Sequence, residues 1–350
     1  MAIVSNRARV VIGGVDTHAD LHVAAALDGV GGLLGVEAFP VTVAGYTALL
    51  AWLRRFGTVA KVGVEGTGSY GSGLSRHLAA AGVAVVEVNS SSRQARRRSG
   101  KSDTLDAIAA ARQALSGEAK AASRGRNGSV EAIRVLTVAK RSARSERIAT
   151  INQARSLVFT GPEDLRARFV GHGTDTLIAE LAGLRPRPGD VVGYATRITL
   201  RELARRVEYL EAQTDRLDEL LAPLVALRAP SLLRVYGVGV DTAAALLVAA
   251  GDHPERLRSE AAWAHLCGAA PVPYSSGKTS GRLHLDAGGD RHANHALWRI
   301  VFTRMAAHPA TRAYVERRSK EGLTKQAIIR CLKRYVARET FPHLRSAIAA

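Results

Sequence analysis

An α/β domain followed by a mainly helical remainder is the fold class this 350-residue sequence predicts, on three observations. Between Arg9 and Leu115, β-rich runs alternate with segments of helical spacing. From about Ser129 the chain turns to helix formers rich in Ala, Arg and Lys. A leucine-rich seam then steps by 3 and 4 residues from Leu200 to Leu224.

The elements follow in order. Arg9 to Val15 is a β-rich run ending at Asp16, and Leu21–Leu27 and Leu33–Val41 are two more, close enough to pair antiparallel through tight turns. Val43 to Phe56 carries Tyr46, Leu49, Leu50 and Leu53 on one helical face. Val59–Val64 reads as a buried strand ending at Glu65, Gly73–Ala81 as a helix, Val83–Val88 as a strand and Thr104–Leu115 as a helix. The order β-β-β-α-β-α-β-α is the ribonuclease H-like layout.

Ser129 to Leu157 predicts one long helix, and glycines and prolines punctuate the stretch after it. The seam Leu200, Leu203, Val207, Leu210, Thr214, Leu217, Leu221, Leu224 fits either a helical hairpin within the chain or a dimeric coiled coil. Pro223 is expected to stop or kink that helix. Beyond Pro230, Tyr236-Gly237-Val238-Gly239-Val240-Asp241-Thr242 reads as a helix-hairpin-helix-like turn, with a packing turn as the alternative. Residues 268–289 read as loops or a short hairpin, and His292–Ala307 and Leu323–Arg338 as helices. The expected domains are 1–125, 126–229 (helical, coiled-coil or linker) and 230–350.

Composition narrows the function classes. Forty-nine Lys and Arg against 31 Asp and Glu leave a formal net charge of +18, an excess that favours a polyanionic partner. Only two cysteines are present, Cys267 and Cys331, too few for a disulfide framework or a four-thiolate zinc site. The N-terminus shows no apolar signal core, and no apolar run is long enough to span a bilayer. The expectation is a soluble cytoplasmic protein with no membrane partner.

Four carboxylates stand out. Asp16 and Glu65 end strands, and Asp103 and Asp106 open a helix three residues apart, on one face of its first turn. Carboxylates brought together need cations; hard oxygen ligands suit Mg²⁺ or Mn²⁺, and two such ions support phosphoryl transfer. Helix capping by Asp103 and a helix-dipole role for Asp106 in the first turn are the competing explanations. Gly66 and Gly68 offer a weak phosphate-cradle signal of the kind found in actin-like kinases. His18 and His22 alternate with Asp16 and Asp20, but Asp20 reads as a turn residue, so the two histidines are not expected to share a face. Arg93, Arg96, Arg97, Arg98 and Lys101 precede the Asp103/Asp106 pair, as phosphate-backbone contacts would. Ser275, Ser276 and Lys278 lie in a compact loop in which spacing alone makes a catalytic serine a minority reading.

Taken in order, Gly14-Val15-Asp16, Val64-Glu65-Gly66-Thr67-Gly68-Ser69-Tyr70-Gly71, Lys101-Ser102-Asp103-Thr104-Leu105-Asp106-Ala107, Gly237-Val238-Gly239, Leu266-Cys267-Gly268, Ser275-Ser276-Gly277-Lys278, and Gly288-Gly289-Asp290 before His295-Ala296-Leu297 resemble the DEDD-type transposases of bacterial insertion sequences, the insertion-sequence 110 family. The chain departs from that pattern at Ser90-Ser91-Ser92, Lys101-Ser102-Asp103 and Gly289-Asp290. The resemblance implies a RuvC-like ribonuclease H domain whose Asp16, Glu65, Asp103 and Asp106 bind metal. It also implies a helical coiled-coil insertion and a C-terminal transposase domain in which Ser276, or else Ser275, attacks DNA to form a phosphoserine intermediate. DNA, a structured guide RNA and further copies of the chain, as a dimer or tetramer, are the implied partners. The competing readings are a junction-type nuclease acting by hydrolysis only, a non-catalytic nucleic-acid-binding protein and an actin-like kinase.

Overall fold

The computed structural model describes residues 9–88, 102–117, 128–186, 190–251, 257–276, 279–285 and 288–349, with the side chains of 273–287 and 349 excepted. The chain divides into two compact units, Met1–Gly128 with Ala250–Ala262 and Ala349, and Ser129–Ala249 with Trp263–Ile348.

The first unit contains β1 (Val10–Thr17), β2 (Leu21–Asp28), β3 (Leu33–Pro40), α1 (Val43–Arg55), β4 (Thr58–Glu65), α2 (Ser72–Ala80), β5 (Ala84–Val88) and α3 (Asp103–Ser116), the order expected. The strands form one sheet, β3-β2-β1-β4-β5. β1, β2 and β3 meander antiparallel, whereas β4 and β5 run parallel to β1. Strand side chains alternate between faces. Val11, Val15, Ala24, Ala26, Val62 and Val64 pack with Tyr46, Leu49, Leu53, Leu74 and Leu78 of α1 and α2. Ala25, with Val23 and Val36, packs on Ala107 and Ile108 of α3.

α3 reaches the sheet by backbone. Gly14 and Gly63 are register partners on β1 and β4. A Cβ on Gly14 would overlap the Ala111 nitrogen and the Ala107 carbonyl, and one on Gly63 would lie 2.6 Å from the Ala110 carbonyl oxygen. The helix answers with Ala107, Ala110, Ala111 and Ala114, all buried. Two glycines and a stripe of alanines therefore set the helix–sheet spacing.

After α3 the chain continues through α4 (Ser129–Thr160), α5 (Glu163–Phe169), α6 (Thr174–Ala182), α7 (Val191–Arg228), α8 (Pro230–Leu233), α9 (Val240–Ala250), α10 (Glu260–Leu266), the hairpin β6 (Pro271–Ser276) and β7 (Thr279–Leu285), α11 (Arg291–Ala307), α12 (Pro309–Lys320) and α13 (Lys325–Ala349). The seam of α7 packs within the chain. Leu200, Ala204 and Val207 share a core with Ile151, Ala154 and Val158 of α4 and with Leu165, Phe169, Leu177 and Leu181. Arg147–Glu211 and Arg206–Glu146 pairs run alongside. α7 does not stop at Pro223 but runs on to Arg228. Pro223 and Glu219, whose carbonyl loses its helical donor, are both exposed, so water can take that hydrogen bond.

One buried cation ties α4 to α7 and α9. The Lys140 side chain is 4% exposed and its ammonium pairs with Asp218 and Asp241, while Arg144 donates to Asp241 at 2.8 Å. Burial raises the Asp241 pKa, but hydrogen bonds and charge from Lys140 and Arg144 outweigh it and leave the carboxyl below its usual value.

Two outcomes follow. Gly14→Val forces α3 off the sheet and destabilises the first unit by about 3 kcal/mol or more, read as a lowered denaturation midpoint; a wild-type midpoint would show that the helix can shift freely. The depressed Asp241 pKa means that its stabilisation is complete above the unfolded carboxyl value of about 4 and is lost as pH falls through the folded value. Asp241→Asn should therefore flatten the acid limb of the stability–pH profile, measured by thermal melts below about pH 4.

Candidate active site

Strand register builds the site. Gly14 and Asp16 point to one face of β1, and Gly63 and Glu65 to the same face of β4. With Gly14 beside Gly63 and Val15 beside Val64, the carboxylates of Asp16 and Glu65 fall on neighbouring strand ends. Thr17 Oγ1 donates to the Glu65 carbonyl at 2.9 Å and locks that edge. Ala107 of α3 lies over Gly14, so the helix's first turn, with Asp103 and Asp106, comes over the strand ends. Asp16 and Asp106 are buried, Glu65 is half-buried and Asp103 is exposed.

Electrostatics mark the cluster. Burial is the largest influence on Asp16 and pushes its pKa up; Glu65 and Asp106 push the same way, and His18 alone opposes them. Added positive charge favours the ionised form of a buried carboxylate beside two others. The backbone N–H of Asp106 donates to the Ser102 carbonyl, and Ser102 offers no side-chain cap to α3. Neither Asp103 nor Asp106 is the N-cap, and both lie in the first turn, where a carboxylate also favours the helix dipole.

His18 is the residue whose part the sequence pattern undervalues. Its Nε2 lies 3.1 Å from Asp16 Oδ2 and 3.4 Å from Asp103 Oδ1. One donor atom each from Asp16, His18 and Asp103 falls within 4.8 Å of the others, a set that suits a divalent cation. Nε2 serves either as proton donor to Asp16 or as a ligand, one role at a time. The available signal is parity: His18 is two residues beyond Asp16 and keeps its face. His22 does not share the site, as expected. It is fully buried and stacks on Tyr46 at 5.7 Å.

The turn after β4 is closed on itself. Ser69 and Gly71 N–H groups both donate to the Gly66 carbonyl, at 2.8 and 3.1 Å, so they are not offered to a phosphate. The Gly237–Gly239 turn is likewise engaged. Gly239 N–H donates to Thr242 Oγ1, and Arg304 Nε donates to the Tyr236 carbonyl. Gly237 and Gly239 nonetheless line a cavity of about 570 Å³ with Arg299 and Thr303.

Two of the other C-terminal motifs, Leu266–Gly268 and Gly288–Asp290, meet in space. Asp290 caps α11 by accepting from His292 and Ala293 N–H groups, and Asn294 Nδ2 donates to the carbonyls of Cys267 and Gly268. Ser275 and Ser276 end β6, with Ser276 paired to Thr279 across the hairpin. Their side chains, Lys278, and the run Arg93, Arg96, Arg97, Arg98 and Lys101 lie outside the described residues.

A mixed sheet that gathers carboxylates under a helix start, joined to a helical unit, defines a protein with an acidic, cation-suited site. Comparison with known sequences gives the family. Residues 13–160 match the DEDD transposase model of the IS110 family, and residues 229–316 match the Transposase IS116/IS110/IS902 family model, together more than half of the chain. A Streptomyces coelicolor protein, described as an insertion element IS110 uncharacterized 43.6 kDa protein, is 34% identical over 149 residues, which are 42% of this chain and 35% of that relative. The chain belongs to the IS110 family of transposases. The match spans about a third of the curated relative's length. Among the described residues no helix is long and apolar enough to cross a membrane.

His18→Ala should weaken Mn²⁺ binding about 10- to 100-fold in calorimetric titration while leaving the melting temperature within a few degrees. Unchanged Mn²⁺ affinity would remove His18 from the site.

Proposed function

We propose that the chain is the DNA strand-transfer enzyme of an insertion element, cutting and rejoining phosphodiesters with two sets of residues. The observation that carries this reading is the register-built meeting of Asp16 and Glu65 beneath Asp103 and Asp106, in a chain of a transposase family with a net charge of +18. Asp16, Glu65, Asp103 and Asp106, with His18, would hold one or two Mg²⁺ or Mn²⁺ ions. A bound divalent cation supplies positive charge against the phosphate oxygens where negative charge builds during transfer. Asp16 is the fixed member, because the sheet holds its backbone; Asp103, exposed on the helix, can shift to suit the substrate.

The second set is a serine nucleophile, Ser276, with Ser275 as the alternative. Its Oγ loses a proton and bonds to the scissile phosphorus while the bond to the leaving DNA oxygen breaks. The DNA then stays linked as a phosphoserine ester until a DNA hydroxyl displaces the serine. The placement of Ser276 at the end of β6, beside a hairpin turn, and the family match over residues 229–316 support this assignment.

The proposed organisation is a RuvC-like catalytic domain over 1–125, a helical region over 126–229 and a C-terminal transposase domain over 230–350. The run Arg93, Arg96, Arg97, Arg98 and Lys101, with Gly237, Gly239 and Lys278, would contact nucleic-acid backbone. A structured guide RNA would select the DNA by base pairing, leaving the protein to grip shape and charge. Two or four copies would assemble so that one protomer's carboxylates meet a serine of another. Such an enzyme works in the cytoplasm, on the nucleoid.

The test is a covalent-adduct assay with Mg²⁺, RNA transcribed from DNA flanking the gene, and labelled element-junction DNA. Asp16→Ala and Ser276→Ala should each lower joining by about a thousandfold or more, and Ser276→Ala should abolish the denaturation-resistant adduct. Nicked product without any adduct would favour hydrolysis alone. Full joining by the Ser275→Ala/Ser276→Ala double variant would overturn the serine assignment.

A further inference from the structure

The helical unit carries an aromatic row on α11. His295, Trp298 and Phe302 follow one another at i, i+3 and i+7, on one side of the helix. Their rings stack in sequence: His295 to Trp298 at 5.6 Å and 27°, Trp298 to Phe302 at 5.3 Å and 22°. The row is open to solvent, Trp298 being 37% and Phe302 55% exposed. The other two tryptophans, Trp52 and Trp263, are 6% and 0% exposed. Large rings left on a surface lose the stabilisation that burial would bring, so an exposed, ordered stack points to a partner.

The surroundings say which partner. The adjacent stripe of α11 forms one wall of a groove of about 310 Å³, and α4 forms another. Arg141, Arg144, His292, His295 and Arg299 line it. Arg144 is paired with Asp241, but Arg141 and Arg299 have no ion-pair partner among the described residues. His295 belongs to both groove and stack. Unpaired guanidiniums beside flat exposed rings match a chain of phosphates carrying flat bases. In a duplex the base faces are covered by their neighbours; in unpaired nucleotides they are free to stack on aromatic side chains.

We infer that this face of the helical unit is a docking site for unpaired nucleotides, whose bases stack on Trp298 and Phe302 while their phosphates lie along Arg141 and Arg299. The inference rests on the reading of the chain as a nucleic-acid enzyme and adds a strand-state preference and a place. It concerns the helical unit alone and needs neither the carboxylates nor Ser276.

The experiment uses the full chain and two probes, an oligo(dT) strand and a duplex. Because Trp298 is the exposed tryptophan, oligo(dT) should quench intrinsic fluorescence, and the quench should vanish in Trp298→Phe while affinity by anisotropy stays within about threefold, since that ring still stacks. Trp298→Ala with Phe302→Ala should weaken oligo(dT) binding about tenfold or more and leave duplex binding unchanged. Both side chains are exposed, so the variant's melting curve should match wild type. Arg141→Gln with Arg299→Gln should reduce the salt dependence of oligo(dT) binding by about one and a half counterions. Oligo(dT) binding that is unquenched, or that survives loss of both rings, overturns the inference while the functional reading stands. Concentration-dependent self-association lost in Trp298→Ala, with oligo(dT) binding intact, overturns it in favour of a second copy of the chain. Binding of neither probe takes down the inference and the functional reading together.

Discussion

The seating of α3 on the sheet is the constraint from which the candidate site derives. Gly14 and Gly63 stand side by side on β1 and β4, and the backbone of α3 occupies the space that their side chains would fill. Strand periodicity then does the rest. Two residues beyond each glycine, on the same face, come Asp16 and Glu65. One turn before Ala107 and Ala110, the helix presents Asp106 and Asp103. A larger side chain at either glycine would tilt or lift the helix, and the acidic groups at its start would move with it.

Bringing those groups together works against folding unless positive charge is present. Asp16 is buried, with Glu65 and Asp106 both raising its pKa, and His18 is its one favourable neighbour in that balance. Such a site is compatible with a divalent cation. The helical unit solves the opposite problem. Its buried ammonium, Lys140, is matched by Asp218 and Asp241, so the junction of α4, α7 and α9 is held by charges that compensate one another. Arg141 and Arg299, which line the same groove, have no ion-pair partner among the described residues.

Much of the first unit is legible in the residues alone. Alternating Val- and Ala-rich runs place the strands and helices to within a residue or two, because period-2 and period-3.6 patterns survive in any buried α/β layer. The seam of Leu200 to Leu224 is legible as a helix but not as a choice between partners; apolar complementarity to Ile151, Ala154 and Val158 is a tertiary matter. Pro223 does not end the helix, because the carbonyl it orphans is exposed and open to water. The Gly66–Gly68 turn looks like a phosphate cradle in sequence, but the Ser69 and Gly71 N–H groups close on the Gly66 carbonyl, and at the second glycine turn the Gly239 N–H closes on Thr242 Oγ1. A spacing pattern does not reveal where a donor points.

By itself the sequence determined the class: a basic chain, an α/β domain with acidic strand ends, a helical remainder, and motifs whose order matched one family. Local preference and hydrophobic period act along the chain, so they can be read along it. Only the tertiary structure decided that His18 joins Asp16 and Asp103 while His22 does not, that the Leu200–Val207 part of the heptad seam packs on α4, and that three rings of α11 stack in sequence on its surface. Those outcomes depend on strand register, on helix–sheet spacing and on which surfaces stay uncovered. Each is set by contacts between residues far apart in sequence, whose energies no local pattern contains.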